Sequence, residues 1–125
     1  MTPSPHSHRR IVIVDDDVDI LESIAIVLAG AGYDARTASS GAEALDELRR
    51  DEPPCLILLD LMMPGMNGWQ FRAEQMQDRA LARVPTVVMT GFPAAAENAE
   101  SLGAAACLKK PIELDRLLDT VARFC

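Results

Sequence analysis

Five polar side chains follow four short apolar runs of the sequence, and their chemical types suit the transfer of a phosphoryl group. These side chains are Asp15 and Asp16, Asp60, Thr90 and Lys110. Three carboxylates held close together repel one another, because unperturbed Asp is ionised at pH 7, and a bound cation would offset that repulsion. Aspartate oxygens, a backbone carbonyl and water are the ligands that Mg²⁺ takes in proteins. A carboxylate beside Mg²⁺, with an ammonium and a hydroxyl nearby, is equipped to accept a phosphoryl group.

These side chains can act together only if the fold brings them to one place, and the runs that precede them indicate that it does. Residues 56–59 are four consecutive aliphatic residues that lead directly into Asp60, and a segment rich in Pro, Gly and Asn follows. A short apolar run bounded by turn residues is typical of a strand buried on both faces of a parallel sheet. Parallel strands end at a common edge, where open α/β sheets bind their ligands. We therefore expect the five polar side chains to meet at one edge of a sheet.

Strands and helices alternate along the chain. Strands are predicted at residues 11–14, 33–38, 56–60, 86–90 and 104–109, and helices at 20–31, 40–48, 67–76, 94–102 and 114–124. Asp17 is expected to cap the first helix, the spacing of Ser40 and Glu43 predicts a capping box, and the third helix begins near Asn67 with Trp69, Ala73 and Met76 on one face. Alternating strands and helices need crossover connections, so the fold class is α/β, with a parallel sheet and helices on both of its faces.

Length and charge limit the possible functions. With 125 residues and 49% hydrophobic content, the chain is expected to form one domain over residues 10–125, preceded by a disordered tail at residues 1–9 that includes His6 and His8. The formal net charge of −7 argues against direct nucleic-acid binding, because phosphate contacts need clustered Lys and Arg. No apolar run approaches the roughly 20 residues that cross a membrane, and the first ten residues lack the apolar core of a signal peptide.

The three cysteines, Cys55, Cys107 and Cys125, are odd in number and widely spaced, and they lie in or beside apolar segments. Buried free thiols are therefore expected rather than a disulfide framework or a zinc site. This pattern predicts a reducing, cytoplasmic location.

Four motifs, in order and at suitable spacing, resemble those of the receiver domain of two-component response regulators. They are IVDDD (residues 13–17), LLDLMMPGMNG (58–68), VMTG (88–91) and LKKP (108–111). The resemblance covers nearly the whole chain after the tail. It implies a flavodoxin-like, doubly wound fold, similar to the chemotaxis regulators, in which a five-stranded parallel sheet has the strand order 2-1-3-4-5.

The resemblance also implies a role for each polar residue. Asp60 matches the phosphoacceptor, which takes phosphate from a phosphohistidine on a sensor histidine kinase or a histidine phosphotransfer protein. Asp15 and Asp16 match the acidic pair that organises Mg²⁺, although either alone would equally suit helix capping. The backbone carbonyl of Met62 matches the remaining protein ligand of the metal, together with Asp60.

Two further positions complete the set. Thr90 matches the hydroxyl that moves toward the acyl phosphate on activation. Lys110 matches the lysine of the Lys-Pro pair, in which the peptide bond before Pro111 is typically cis. The implied function is a Mg²⁺-dependent phosphorylation switch that changes protein–protein contacts in a phosphorelay, with an unidentified downstream target and no enzymatic activity beyond its own phosphotransfer and dephosphorylation.

The sequence departs from the family pattern in two places. Cys107 stands where the family often carries Tyr or Phe on the last strand, so coupling through an aromatic rotamer is absent, and we expect activation to act through Thr90 and the loop after it. Met62 and Phe92 are bulky and apolar two residues after Asp60 and Thr90. We expect both to hinder the attacking water and lengthen the lifetime of the acyl phosphate.

Other functions remain open at this point. An aspartyl-phosphate phosphatase or mutase would usually carry a second Asp two residues after the nucleophile, where Met62 stands. A docking receiver that works without phosphorylation is disfavoured because all five polar residues are present, and a flavin site is disfavoured by the acidic loop after Val14. A stand-alone receiver is slightly favoured over a fragment of a longer regulator or hybrid kinase.

Overall fold

A computed structural model of the chain describes residues 9–50, 52–91 and 102–125. The strands are β1 (Arg10–Val14), β2 (Asp34–Ala38), β3 (Leu56–Asp60), β4 (Thr86–Thr90) and β5 (Ala106–Lys109). The helices are α1 (Val18–Gly30), α2 (Gly41–Arg50), α3 (Gly68–Gln77), α4 (Arg79–Ala82) and α5 (Leu114–Phe124). All strand pairs are parallel, and the sheet order is β2-β1-β3-β4-β5. The predicted fold class and strand order are confirmed.

The central strands are apolar because helices cover both of their faces. Every residue of β3 and β4 is buried, and so are the last four residues of β1. Alternate residues point to opposite faces of a strand, so Ile11 and Ile13 join one core cluster with Leu117 of α5, whereas Val12 joins the other with Phe71 of α3. This arrangement explains the continuous rather than alternating hydrophobicity of the runs before the polar residues.

Local capping fixes where α1 and α3 begin. Asp17 accepts hydrogen bonds from the backbone N–H groups of Asp19 and Ile20, as predicted for the start of α1. Asn67 and Gln70 form a complete capping box at the start of α3.

At α2, half of the predicted capping box is present. The hydroxyl oxygen of Ser40 accepts from the N–H of Glu43, at 3.1 Å, but the Glu43 carboxylate accepts from the N–H and hydroxyl of Ser39 rather than from Ser40.

Of the three residues predicted on one face of α3, Trp69 alone packs against a core cluster. Ala73 is exposed and Met76 is 52% exposed, whereas Phe71 and Gln75 are fully buried. Gln75 is buried because its side-chain amide donates to two backbone carbonyls in the turn that contains α4. Apolar periodicity does not reveal such hydrogen bonds. That short helix was not predicted.

The expected pattern of free, buried cysteines was also wrong. Cys55 and Cys125 form a disulfide with a Cα–Cα distance of 5.6 Å, although 70 residues separate them in sequence. Cys107 carries a free thiol, but it is exposed on β5 rather than buried. Spacing did not reveal the pair, because the residue before β3 and the residue after α5 become neighbours only when α5 packs on the sheet. The prediction of a reducing compartment therefore loses its basis.

The predicted disordered tail lies outside the described residues except for Arg9, and the predicted helix at residues 94–102 lies outside them except for Leu102. Within the described ranges, no helix has the length and hydrophobicity required to cross a membrane.

Candidate functional site

The carboxyl edge of the sheet gathers the polar residues that follow the strands. Asp60 ends β3 and Thr90 ends β4, while Asp15 and Lys110 directly follow β1 and β5. The strand register aligns these ends, because Val14 pairs with Leu59, Asp60 with Met89, and Thr90 with Lys109. The predicted convergence at one edge follows from this register.

Three carboxylates form a compact cluster at this edge. Asp15, Asp16 and Asp60 each offer one oxygen, and these oxygens all lie within 4.8 Å of one another. Asp15 and Asp60 are 0% and 4% exposed, whereas Asp16 is exposed to solvent. The N–H of Asp17 donates to Asp15 Oδ1 at 2.9 Å, which fixes the orientation of that carboxylate. Clustered, partly solvated carboxylate oxygens fit a hard divalent cation that keeps some of its waters.

Lys110 supplies the positive charge in the described site. Its Nζ lies 2.7 Å from Asp15 Oδ2 and 3.5 Å from Asp60 Oδ1. Burial on its own would lower the pKa of Lys110, but the hydrogen bond to Asp15 and the charges of Asp60 and Asp15 outweigh it and raise that pKa above its usual value. The ammonium therefore stays protonated at neutral pH.

The pKa of the Asp60 carboxyl is raised to about 6, first by burial and then by the negative charge of Asp15. The charge of Lys110 and the hydrogen bond from the Met62 N–H, at 3.3 Å to Oδ1, oppose this rise only in part. The ionised form of Asp60 is therefore disfavoured by burial and by repulsion within the cluster. A cation bound to the cluster would favour that ionised form.

The loop between β3 and α3 approaches the sheet closely and needs glycine at two positions. Gly65 has a φ of +75°, a conformation that L side chains rarely adopt. A Cβ on Gly68 would lie 2.8 Å from the Cα of Leu61, and the Gly68 N–H donates to the Leu61 carbonyl at 3.0 Å. The same loop carries Met62, whose N–H donates to Asp60 and which is 51% exposed.

The remaining predicted residues have different environments. Thr90 is 1% exposed at the end of β4, and its carbonyl accepts from the Lys110 N–H at 2.8 Å. Cys107 lies exposed on β5 and pairs in register with Val88. Phe92 lies outside the described residues. The metal-ligand role of the Met62 carbonyl stays a prediction.

An apolar groove beside the site was missed by the sequence analysis. It is a cavity of about 300 Å³ that lies between α1 and the segment leading into α5. Residues that line it include Ile20, Ile24 and Val27 on one side and Lys110, Ile112 and Leu117 on the other. The spacing of Ile20, Ile24 and Val27 was the available signal, but sequence alone does not distinguish such a groove wall from the core face of a helix.

A buried acid at the end of a central strand, flanked by two acids and a lysine on a 2-1-3-4-5 sheet, defines the class of aspartate-based signalling domains. The family model described as the response regulator receiver domain matches residues 11–122, and the chain belongs to that family. Its general function is that of a phosphorylation switch in two-component signalling.

Individual relatives agree with this assignment. The chemotaxis protein CheY4 of Vibrio cholerae superposes with a TM-score of 0.84 and 30% identity, over 94% of this chain and 99% of CheY4. Protein PilH of Pseudomonas aeruginosa is 29% identical over 114 residues, covering 90% of this chain and 93% of PilH. The DNA-binding response regulator MtrA of Mycobacterium tuberculosis is 48% identical over 60 residues, covering 48% of this chain.

The match to MtrA covers 26% of that protein, so about half of this chain is similar to about a quarter of a longer regulator. Because MtrA is described as DNA-binding, the expectation that this protein makes no contact with nucleic acid is not supported.

Proposed function

We propose that residues 10–125 form a receiver domain in which Asp60 accepts a phosphoryl group from a phosphohistidine of a sensor histidine kinase or a histidine phosphotransfer protein. The observation that carries this proposal is the contact of one ammonium, that of Lys110, with both Asp15 and Asp60 at the carboxyl edge of the sheet. In the phosphorylated state the domain would bind a downstream protein differently from the unphosphorylated state.

In the proposed reaction a carboxylate oxygen of Asp60 attacks the phosphorus atom of the donor. The donor reacts in the form whose other ring nitrogen carries a proton. The bond between phosphorus and the imidazole nitrogen breaks, that nitrogen keeps the electron pair, and the ring leaves as neutral imidazole. Lys110 already lies 3.5 Å from Asp60 Oδ1, so its ammonium can balance negative charge on the entering phosphoryl oxygens. The hydroxyl of Thr90, at the neighbouring strand end, would donate a hydrogen bond to an oxygen of the acyl phosphate.

The cation proposed for this site is Mg²⁺, held by Asp15, Asp16 and Asp60 with the carbonyl of Met62. The donor set supports this choice, since it contains oxygen ligands and one member, Asp16, that is open to solvent. When bound, Mg²⁺ would neutralise charge on the transferring phosphoryl group. The exposed position of Asp16 suits a ligand that acts through water.

The groove between α1 and α5 supports a docking site for the phosphodonor. It is lined by apolar side chains and includes Lys110, so it is continuous with the proposed phosphorylation site. An amphipathic helix that presents a phosphohistidine could place apolar residues against Ile20 and Ile24 while its imidazole reaches Asp60. Acetyl phosphate, which needs no such contact, provides a donor independent of the groove.

The decisive experiment is incubation with acetyl phosphate, with and without Mg²⁺, followed by intact mass measurement. We expect the wild-type chain to gain one phosphoryl group only with Mg²⁺, and Asp60→Asn to gain none. Asp46→Asn, which removes an exposed acid on α2, is the matched control and should behave as wild type. Equal labelling of wild type and Asp60→Asn would refute the proposed phosphoacceptor.

The rival enzyme, an aspartyl-phosphate phosphatase or mutase, gains no support from the site. Its acid–base group would stand at Met62, which has no titratable side chain. We therefore propose that the domain catalyses only its own phosphotransfer and dephosphorylation.

A further inference from the structure

The disulfide between Cys55 and Cys125 joins two elements at the end of the sheet opposite the acidic cluster. Cys55 precedes β3, and its N–H donates to the Arg10 carbonyl at 2.9 Å, so its backbone is tied to β1. Cys125 follows α5, and its N–H donates to the Val121 carbonyl at 2.9 Å. The bond therefore fixes the carboxyl end of α5 to the amino end of the central strand pair.

Both cysteines are only partly buried. Exchange of a disulfide begins with attack of a thiolate on one of its sulfurs, so it requires that the attacking thiol reach the bond. The partial exposure of both residues is the observation that favours such access.

We propose that Cys55 and Cys125 form a reversible redox site whose oxidised state anchors α5 to the sheet. The helix is otherwise held through its apolar face, where Leu117 and Val121 are buried, whereas Phe124 and Cys125 at its end are only partly buried against the same core cluster. Reduction would release the last turn of α5. At its other end the same helix contributes Leu117 to the groove beside Lys110, so the redox state bears on a helix that borders the proposed phosphorylation site. The inference does not depend on phosphorylation of Asp60.

The oxidant is a low-molecular-weight disulfide such as glutathione disulfide. One cysteine thiolate attacks it, forming a mixed disulfide and releasing one glutathione thiolate. The second cysteine thiolate then attacks the protein sulfur of that mixed disulfide, closing the Cys55–Cys125 bond and releasing the second glutathione. Two thiol protons and two electrons leave the protein, and one glutathione disulfide becomes two glutathione molecules.

The first test equilibrates the full chain in buffers of varied glutathione to glutathione disulfide ratio, then quenches, alkylates with N-ethylmaleimide and measures intact mass. We expect three alkylated cysteines in reduced protein and one, Cys107, in oxidised protein, with reversible conversion between the two forms. The control Cys107→Ser should change from two alkylated cysteines to none. Cys125→Ser should stop at a mixed disulfide on Cys55.

The second test compares amide hydrogen exchange of the oxidised and reduced chain. We expect exchange at residues 120–125 to be on the order of 10-fold faster after reduction, while amides of α1 stay unchanged. Three outcomes would overturn the proposal: no bond at any glutathione ratio, a bond that glutathione cannot reduce in the folded protein, or equal exchange of α5 in both states. Labelling of Asp60 by acetyl phosphate is measured in parallel, so failure of the redox site and of the phosphorylation site can be distinguished.

Discussion

Lys110 lies between two buried carboxylates that would otherwise repel each other. Its ammonium is 2.7 Å from Asp15 and 3.5 Å from Asp60, so it reduces the repulsion without removing it. The raised pKa of Asp60 reflects what remains, with burial as its largest cause. The proposed phosphoacceptor is thus a position at which the folded chain tolerates an unfavourable charge.

The first prediction concerns the free energy of unfolding without metal. The pKa of Asp60 rises from 3.8 in its reference state to about 6 in the folded protein, so ionisation destabilises the fold as the pH rises between these values. In EDTA, the free energy of unfolding of Asp60→Asn should exceed that of wild type by about 3 kcal/mol at pH 7.5. At pH 5 the difference should be about half of that, because wild-type Asp60 is then largely protonated when folded. Urea denaturation at both pH values measures the two differences. A variant less stable than wild type at pH 7.5 would contradict this prediction.

The second prediction separates two adjacent lysines. Lys110→Met should slow labelling of Asp60 by acetyl phosphate by about 100-fold, because the phosphoryl oxygens lose a preorganised positive charge. Lys109→Met should leave the rate within about two-fold of wild type, since Lys109 is exposed on β5. Rates are compared by intact mass in excess Mg²⁺, and Lys110→Arg tests whether charge alone restores the rate. Similar losses in both methionine variants would refute a specific role for Lys110.

The third prediction concerns the lifetime of the acyl phosphate. The backbone N–H of Met62 donates to Asp60 Oδ1 at 3.3 Å and the residue is 51% exposed, so we expect its bulky side chain to hinder an attacking water. Met62→Ser should speed dephosphorylation on the order of 10-fold, which corresponds to about 1.4 kcal/mol of the barrier. Met76→Ser, at a side chain with 52% exposure on α3, is the matched control. Decay of phosphorylated protein after removal of the donor gives the rates, and an unchanged rate in Met62→Ser would count against the idea.

At the scale of elements, α3 is positioned by polar contacts as well as by apolar packing. Gln75, which is fully buried, donates to the carbonyls of Leu81 and Val84, and its own carbonyl accepts from the Thr86 hydroxyl at 3.0 Å. Arg72 extends this network, donating to Thr86 and to the Leu102 carbonyl. These bonds join α3 to the start of β4, the strand that ends in Thr90.

The fourth prediction tests that network. Gln75→Met keeps the approximate size of the side chain but removes three hydrogen bonds from a buried site, so the free energy of unfolding should fall by about 2–4 kcal/mol. Gln77→Met, at an exposed position of the same helix, should change stability by less than about 0.5 kcal/mol. Urea denaturation measures both variants. Equal stability of the two would show that apolar packing alone positions α3.

At the scale of the whole molecule, activation requires that a change at the carboxyl edge of the sheet alter the conformation of a surface. Cys107 occupies the position on β5 where an aromatic side chain often serves the family, and it is exposed. A connection between β4 and β5 runs through the backbone, because the Thr90 carbonyl accepts from the Lys110 N–H and the two strands pair in register. A displacement of Thr90 would thus displace β5 directly.

The fifth prediction follows from that connection. Binding of the phosphoryl analogue beryllium trifluoride with Mg²⁺ should shift amide resonances within residues 91–112, while those of β2 (Asp34–Ala38), at the far edge of the sheet, change little. The same experiment on Asp60→Asn is the control and should show no shifts. Unchanged resonances at residues 91–112 in wild type would refute coupling through Thr90.

Much of the fold and of the site could be predicted because the determining signals are local. The apolar runs before Asp15, Asp60 and Thr90 identified strands, and the edge rule of parallel sheets then placed their polar ends together. Asp17 predicted the start of α1 correctly. In contrast, the buried face of α3 depended on Gln75 and on carbonyls that belong to a later turn, so no periodicity within α3 could reveal it.

The sequence by itself determined the alternation of strands and helices, the sheet that follows from it, and the five polar residues that end at one edge, because each depends on residues adjacent in the chain. Only the tertiary structure decided the pairing of Cys55 with Cys125, the groove between α1 and α5, and the contact of the Lys110 ammonium with two carboxylates. Those features depend on distances between residues far apart in sequence, and such distances are set when helices pack on the sheet.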